Sequence, residues 1–228
     1  MGEKTLNDIF YKPDIGASGA VEKGKFDDGL DVADGFITAN KSGIGNLVVS
    51  NWTIRVSAAD NNWHSVCWSP ELGLFAAVAF SGAGNRVMTS PNGIDWTIRV
   101  SAADNNWLSV CWSPELGLFA AVAFSGAGNR VMTSPNGIDW TIRVSAADNK
   151  WSSVCWSPEL GLFAAVARTG VGNRVMTSPN GIDWTIRVSV VDHGWRSVCW
   201  SPELGLFAAV AYTGVGNRVM TSPNGIDW

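Results

Sequence analysis

The chain has 228 residues, a formal net charge of −4, 46% hydrophobic residues and only 16% charged ones. That balance excludes a disordered chain and a partner held mainly through nucleic-acid phosphates. No apolar run reaches the roughly 18–20 residues of a membrane helix, so no membrane insertion is expected, and residues 1–6 offer no signal-peptide core.

Residues 1–52 stand apart from the rest. Residues 5–13 read as extended or irregular, and Gly16-Ala17-Ser18-Gly19 as a flexible stretch. Over residues 21–40, Phe26, Leu30, Ala33 and Ile37 recur at helical spacing, which predicts an amphipathic helix. Asp27, Asp28, Asp31 and Asp34 would lie on its surface, and Gly24, Gly29 and Gly35 oppose it. A second reading is open. Residues 34–50 align without gaps to 73–89, with Phe36, Ser42, Gly43, Gly45, Asn46 and Val48 matching Phe75, Ser81, Gly82, Gly84, Asn85 and Val87. A degenerate fifth blade, with residues 46–50 as a decayed third strand, would explain that match. Either way, residues 1–52 form an extension suited to anchoring or self-association.

From residue 53 the chain repeats. Trp52, Trp96, Trp140, Trp184 and Trp228 are each 44 residues apart, as are Trp63, Trp107, Trp151 and Trp195, and Trp68, Trp112, Trp156 and Trp200. These three series account for all thirteen tryptophans. They define four copies, residues 53–96, 97–140, 141–184 and 185–228. Within a copy, Thr53-Ile54-Arg55-Val56 and Trp63-His64-Ser65-Val66-Cys67-Trp68 alternate as strands do. Residues 74–79 are a short apolar run, as in a strand buried on both faces, and residues 85–89 give a fourth strand. Pro and Gly mark the turns at 69–73, 81–84 and 90–93. Four short strands in such a period predict an all-β fold, a β-propeller of four near-identical four-stranded blades.

Ser90-Pro91-Asn92-Gly93-Ile94-Asp95-Trp96 resembles a shortened Asp-box, the turn of sialidase-type blades, and it recurs in every copy. The resemblance implies a structural turn, tied by polar side chains, with its Trp packed between blades. It does not carry sialidase activity, since Tyr11 and Tyr212 are the only tyrosines and four blades are too few. Residues 8–13 and 16–23 resemble the N-terminal region of phage tail-fibre and virion structural proteins. That likeness implies a virion-associated or extracellular setting.

The last copy lacks a fourth strand of its own in this numbering, and residues 53–56 are expected to supply it, closing a four-bladed ring. Closure by another chain would instead give eight blades.

Differences among the copies mark a candidate surface. Residues 65–79 and 85–96 recur unchanged in all four. Change is confined to two windows: the link before the first strand and the loop between strands two and three. In the first, Asn61-Asn62 becomes Asn149-Lys150 and His193-Gly194, and the residue after Trp63, Trp107, Trp151 and Trp195 is His64, Leu108, Ser152 and Arg196. In the second, Phe80 and Phe124 become Arg168 and Tyr212. Alternate loops of an antiparallel meander emerge at one edge. Both windows therefore share one face of the disc, where drift in exposed loops and a tuned binding surface are both open readings. Aromatic rings beside Asn, Asp and Arg suit sugar recognition. The expected ligand is a glycan or cell-surface receptor, bound without a cofactor.

Cys67, Cys111, Cys155 and Cys199 hold equivalent positions in different blades, which opposes zinc and disulfides. Asp60, Asp104, Asp148 and Asp192 recur once per copy and are expected to cap loops. No nucleophile–base or carboxylate pair can be assigned, so a non-enzymatic recognition module is expected. The alternative is a structural component of a virion or fibre.

Overall fold

A computed structural model describes residues 30–33, 36–39 and 52–228. The chain divides into two compact units, Met1–Ile54 and Arg55–Trp228.

In the first unit, β1 (Leu30–Ala33) and β2 (Phe36–Ala39) pair antiparallel, with Ala33 opposite Phe36. This corrects the expected helix. Asp34-Gly35 separates the two strands, and Asp-Gly is a favoured two-residue hairpin link that helical periodicity alone does not register. The rest of the predicted helix and the decayed strand at 46–50 lie outside the described residues.

The second unit is a β-propeller fold. Sheet one orders β3 (Trp63–Ser69), β4 (Leu74–Ala79), β5 (Val87–Ser90) and β6 (Thr97–Arg99) sequentially. The pattern returns in β7 (Trp107–Ser113) to β10 (Thr141–Arg143) and in β11 (Trp151–Ser157) to β14 (Thr185–Arg187). The last sheet has three strands, β15 (Trp195–Ser201), β16 (Leu206–Ala211) and β17 (Val219–Ser222). The first three blades therefore take their outer strand from the segment following the Ser-Pro-Asn-Gly turn.

The alternation in β3 explains how blades stack. Val66 and Trp68 face one side of the sheet, while Ser65 and Cys67 face the other. At the first junction, Ala76, Val78 and Val87 of blade one pack against Trp107, Val110, Trp112, Ala121 and Met132 of blade two. The same set recurs at the next junction and, more exposed, at the third. Small alanines in the second strand let the sheets approach, and Trp107, Trp151 and Trp195 are fully buried. Each fully buried Val or Met contributes about 1.5–3 kcal/mol by leaving water.

The expected closing strand is absent. Residues 53–56 carry no strand, and Ile54 and Val56 are 94% and 85% exposed. The outer face of blade one is open, with Val66 57% exposed where Val110 is 4%. The opposite face of blade four is open too, with Val219 63% exposed where Val87 is 0%. The described blades form an open stack rather than a closed four-bladed ring.

Candidate functional site

The two variable windows do meet at one edge. The backbone N–H of Phe80 donates to the Asn62 carbonyl at 2.8 Å, joining the 80–86 loop to the link before β3. Asn61 Nδ2 donates to the Asn85 carbonyl at 2.9 Å. The link to the next blade is joined as well: Gly84 N–H donates to Asp104 at 2.6 Å, and Arg86 lies 3.7 Å from the same carboxylate. Asp148 and Asp192 repeat this cap on Gly128 and Gly172. Three of the four recurring aspartates, Asp104, Asp148 and Asp192, thus hold loops. Among the described residues, no group of His, Cys, Asp or Glu is placed to hold a metal ion.

The opposite edge carries the invariant turns. Ser90 Oγ accepts from Gly93 N–H at 2.8 Å, and Asn92 Oδ1 accepts from the N–H groups of Ile94 and Asp95 at 2.9 Å each. In the next copy, Trp140 Nε1 donates to the Gly137 carbonyl at 3.0 Å and stacks near Phe119. Polar side chains therefore tie this turn.

A β-bulge shapes the variable edge. Trp63 opposes Ala79 and Ser65 opposes Val78, which leaves His64 without a register partner. Leu108, Ser152 and Arg196 occupy the same position in the other blades. The most variable residue of each copy is therefore the bulged one. Bulges commonly re-aim a side chain beside functional sites. The sequence holds no signal for this extra residue, because alternation simply resumes after it.

The candidate residues then separate by environment. Trp107, Trp151 and Trp195 are fully buried core and offer a ligand no surface. Leu108 and Ser152 are buried as well, each 7% exposed. Ser152 Oγ donates to the Trp195 carbonyl of the next blade at 2.7 Å, a packing role. His193 Nε2 lies 2.9 Å from Asn217 Oδ1, so it ties its own loop in the way Asn61 ties the first. Burial sets five of these six apart from the exposed edge, and His193 takes part in a loop hydrogen bond.

The remaining residues gather. Phe80 lies between His64 and Phe124, at centroid distances of 5.5 and 6.0 Å. Lys150 Nζ sits 4.7 Å and Arg168 Cζ 5.4 Å from the Phe124 ring centre. Tyr212 lies against Gly194, where any Cβ would collide with its ring. The other copies carry Asn or Lys there, so Gly194 makes room for this tyrosine.

Electrostatics places Arg196 in the same group. Burial lowers the His64 imidazole below its usual value, and the positive charges of Arg168 and Arg196 lower it further. Burial also lowers Arg168, as does Arg196, while Tyr212 opposes the shift. Arg168 Nε is buried without a hydrogen-bond partner. Among the described residues, neither Lys150, Arg168 nor Arg196 has a carboxylate ion-pair partner. Lys150 and Arg168 thus stand over Phe124, and the charge of Arg196 acts on both His64 and Arg168. Trp63 is set apart. It is half-buried and lines a 290 Å³ cavity with His64, Val66, Met88 and Trp96 on the open face of blade one.

The cysteines sit in the inner strands as free thiols. Burial pushes the Cys67 thiol up to about 12 and raises Cys111 and Cys155 strongly. Such groups are poor nucleophiles.

Solved structures share the fold at low identity. YCF48 from Cyanidioschyzon merolae matches at a TM-score of 0.51 and 16% identity, over 72% of this chain and 53% of that one. The GH74 enzyme of Niastella koreensis matches at 0.57 and 11%, over 70% and 28%. A streptogramin B lyase matches at 0.53 and 10%, over 72% and 55%. The chain spans about half or less of these proteins' lengths. No protein-family model and no curated protein sequence matches it.

Proposed function

We propose that this propeller is a non-enzymatic recognition module whose variable edge binds an acidic glycan on a cell surface. One observation carries the reading. The residues that differ among otherwise unchanged blades, and that are exposed or only partly buried, include the cations and rings Phe80, Phe124, Lys150, Arg168, Arg196 and Tyr212 of the variable edge. Sugar faces stack on aromatic rings, and unpaired guanidinium groups take carboxylate or sulfate in paired hydrogen bonds. The rigid blades beneath hold these groups in place. Binding rather than catalysis is favoured, because this edge brings together cations and rings without a nucleophile and its base. The fibre-like N-terminal resemblance supports display on a virion appendage or comparable surface structure.

An array of neutral, carboxylated and sulfated glycans tests the reading. The wild-type protein is expected to retain acidic glycans selectively. The triple variant R168A/R196A/Y212A is expected to lose them while keeping its circular dichroism spectrum. Equal retention by wild type and variant overturns the assignment.

A further inference from the structure

The loop position that reads Phe80, Phe124, Arg168 and Tyr212 is used in two ways at the first two blade junctions. Between blades one and two, Phe124 packs on Phe80 at 6.0 Å between ring centres, and Asn106 Nδ2 donates to the Phe80 carbonyl at 2.9 Å. One blade further on, Arg168 takes the place of Phe124 and Lys150 that of Asn106. Both reach the Phe124 ring: Lys150 Nζ lies 4.7 Å and Arg168 Cζ 5.4 Å from its centre. Two of the substitutions that distinguish blade three therefore converge on one side chain of blade two.

The backbone beneath is tied alike in both blades. Phe124 N–H donates to the Asn106 carbonyl at 2.8 Å, and Arg168 N–H to the Lys150 carbonyl at 2.9 Å. Ser125 Oγ accepts from Asn106 N–H at 2.9 Å, and Thr169 Oγ1 from Lys150 N–H at 3.0 Å. One scaffold thus exchanges a ring and an amide for two cations. A cation within about 6 Å of a ring centre is drawn to the negative face of the π-system. That attraction opposes the like-charge repulsion of Lys150 and Arg168. It also restricts two long side chains that otherwise sample many rotamers. Arg168 Nε is itself buried and, among the described residues, donates to no acceptor. An oxyanion beside the guanidinium would supply one.

We propose that Phe124 is a positioning residue for anion recognition: its ring holds Lys150 and Arg168 ready for an oxyanion, carboxylate or sulfate, and leaves the sugar face to Phe80 and Tyr212. This role presupposes the acidic ligand and divides the rings of the edge between two tasks. Phe124 acts through its cations and touches no sugar. Holding the cations in place before binding raises affinity, because less ordering remains to be done when the anion arrives. Among the described residues no cation lies over Phe80, whose ring neighbours are His64 and Phe124. Tyr212 is 54% exposed. The preference for acidic over neutral ligands is thus set by a ring of blade two together with the cations of blade three.

Inorganic sulfate, titrated into the full chain, tests this without a glycan. Nuclear magnetic resonance follows the Arg168 Nε–H and the Lys150 backbone amide, and both are expected to shift saturably in the wild type. Phe124→Leu keeps an apolar side chain but loses the π-face, and is expected to bind sulfate about fivefold more weakly. Phe124→Trp, a better partner for cations, is expected to restore the affinity. The fold accepts change here, since the equivalent residues are Arg168 and Tyr212. A double-mutant cycle separates positioning from packing: Arg168→Ala is expected to cost less affinity in the Phe124→Leu background than in the wild type. Equal sulfate affinity of wild type and F124L, no recovery with Trp, additive losses, or wild-type signals that sulfate leaves unmoved each overturn the inference. The glycan array keeps the two readings apart. Acidic glycans retained equally by wild type and F124L overturn the positioning role alone. A wild type that takes sulfate in this Phe124-dependent way but retains no glycan supports the positioning role and overturns only the glycan assignment.

Discussion

The indole N–H of Trp112 donates a 2.6 Å hydrogen bond to the Glu71 carboxylate of the preceding blade. Trp112 also packs on Phe119, at 4.5 Å between ring centres. One side chain thus fixes both a blade's own core and its junction.

Removing the acceptor should leave the indole nitrogen unmatched at a largely buried site. Glu115→Ala is expected to cost about 1–3 kcal/mol through Trp156, which is 9% exposed. Glu203→Ala should cost little, since among the described residues Glu203 takes only a 3.3 Å bond from Ser201 and no indole. Chemical denaturation of the two variants measures the difference.

Loop ties on the variable edge make a second test. Gly126 holds φ +121°, and a Cβ there would collide with the side chains of Asn105 and Asn129. Gly126→Ala is expected to lose about 1–3 kcal/mol from strain and from the displaced Asn105 bond to the Asn129 carbonyl. Adding Asn105→Ala should cost less than the sum of the single changes, because both act on one tie. A double-mutant cycle reads this directly.

The third concerns pH. His64 is held below its usual value of 6.5 by burial, then by Arg168 and Arg196. The folded state therefore binds this proton less tightly than the unfolded chain. The contribution of His64 to stability is level above the unfolded value and is lost as pH falls from there towards the folded value. Nuclear magnetic resonance titration should find the lowered value, and R168A/R196A should move it up. Bound acidic glycan should move it up too, so retention should strengthen on mild acidification. A His64 titration unchanged by both perturbations contradicts the cluster.

Much of the architecture was legible because the repeat writes it four times. The 44-residue step, the alternation in 63–68 and the turn residues at 90–93 are each local signals of strand and turn. The helix expected over 21–40 failed at Leu30–Ala33 and Phe36–Ala39 for a local reason as well. Apolar residues at that spacing also fit two short strands, and Asp34-Gly35 favours a hairpin. The site was legible only in outline. Comparing copies found the edge, yet it could not tell exposed Arg196 from buried Ser152 at the same bulged position. That distinction depends on the next blade, whose Trp195 carbonyl takes the Ser152 hydroxyl.

The sequence by itself determined the period, the blade and the edge on which variation gathers, because each follows from contacts within about 44 residues. Three outcomes waited on tertiary structure. Packing between blades buried Trp107, Trp151 and Trp195 and left Phe80, Phe124, Arg168 and Tyr212 to form the cluster. The bulge re-aimed His64 and its equivalents. Val66 and Val219 stay 57% and 63% exposed, because a repeated junction buries these positions only where a neighbouring blade packs against them.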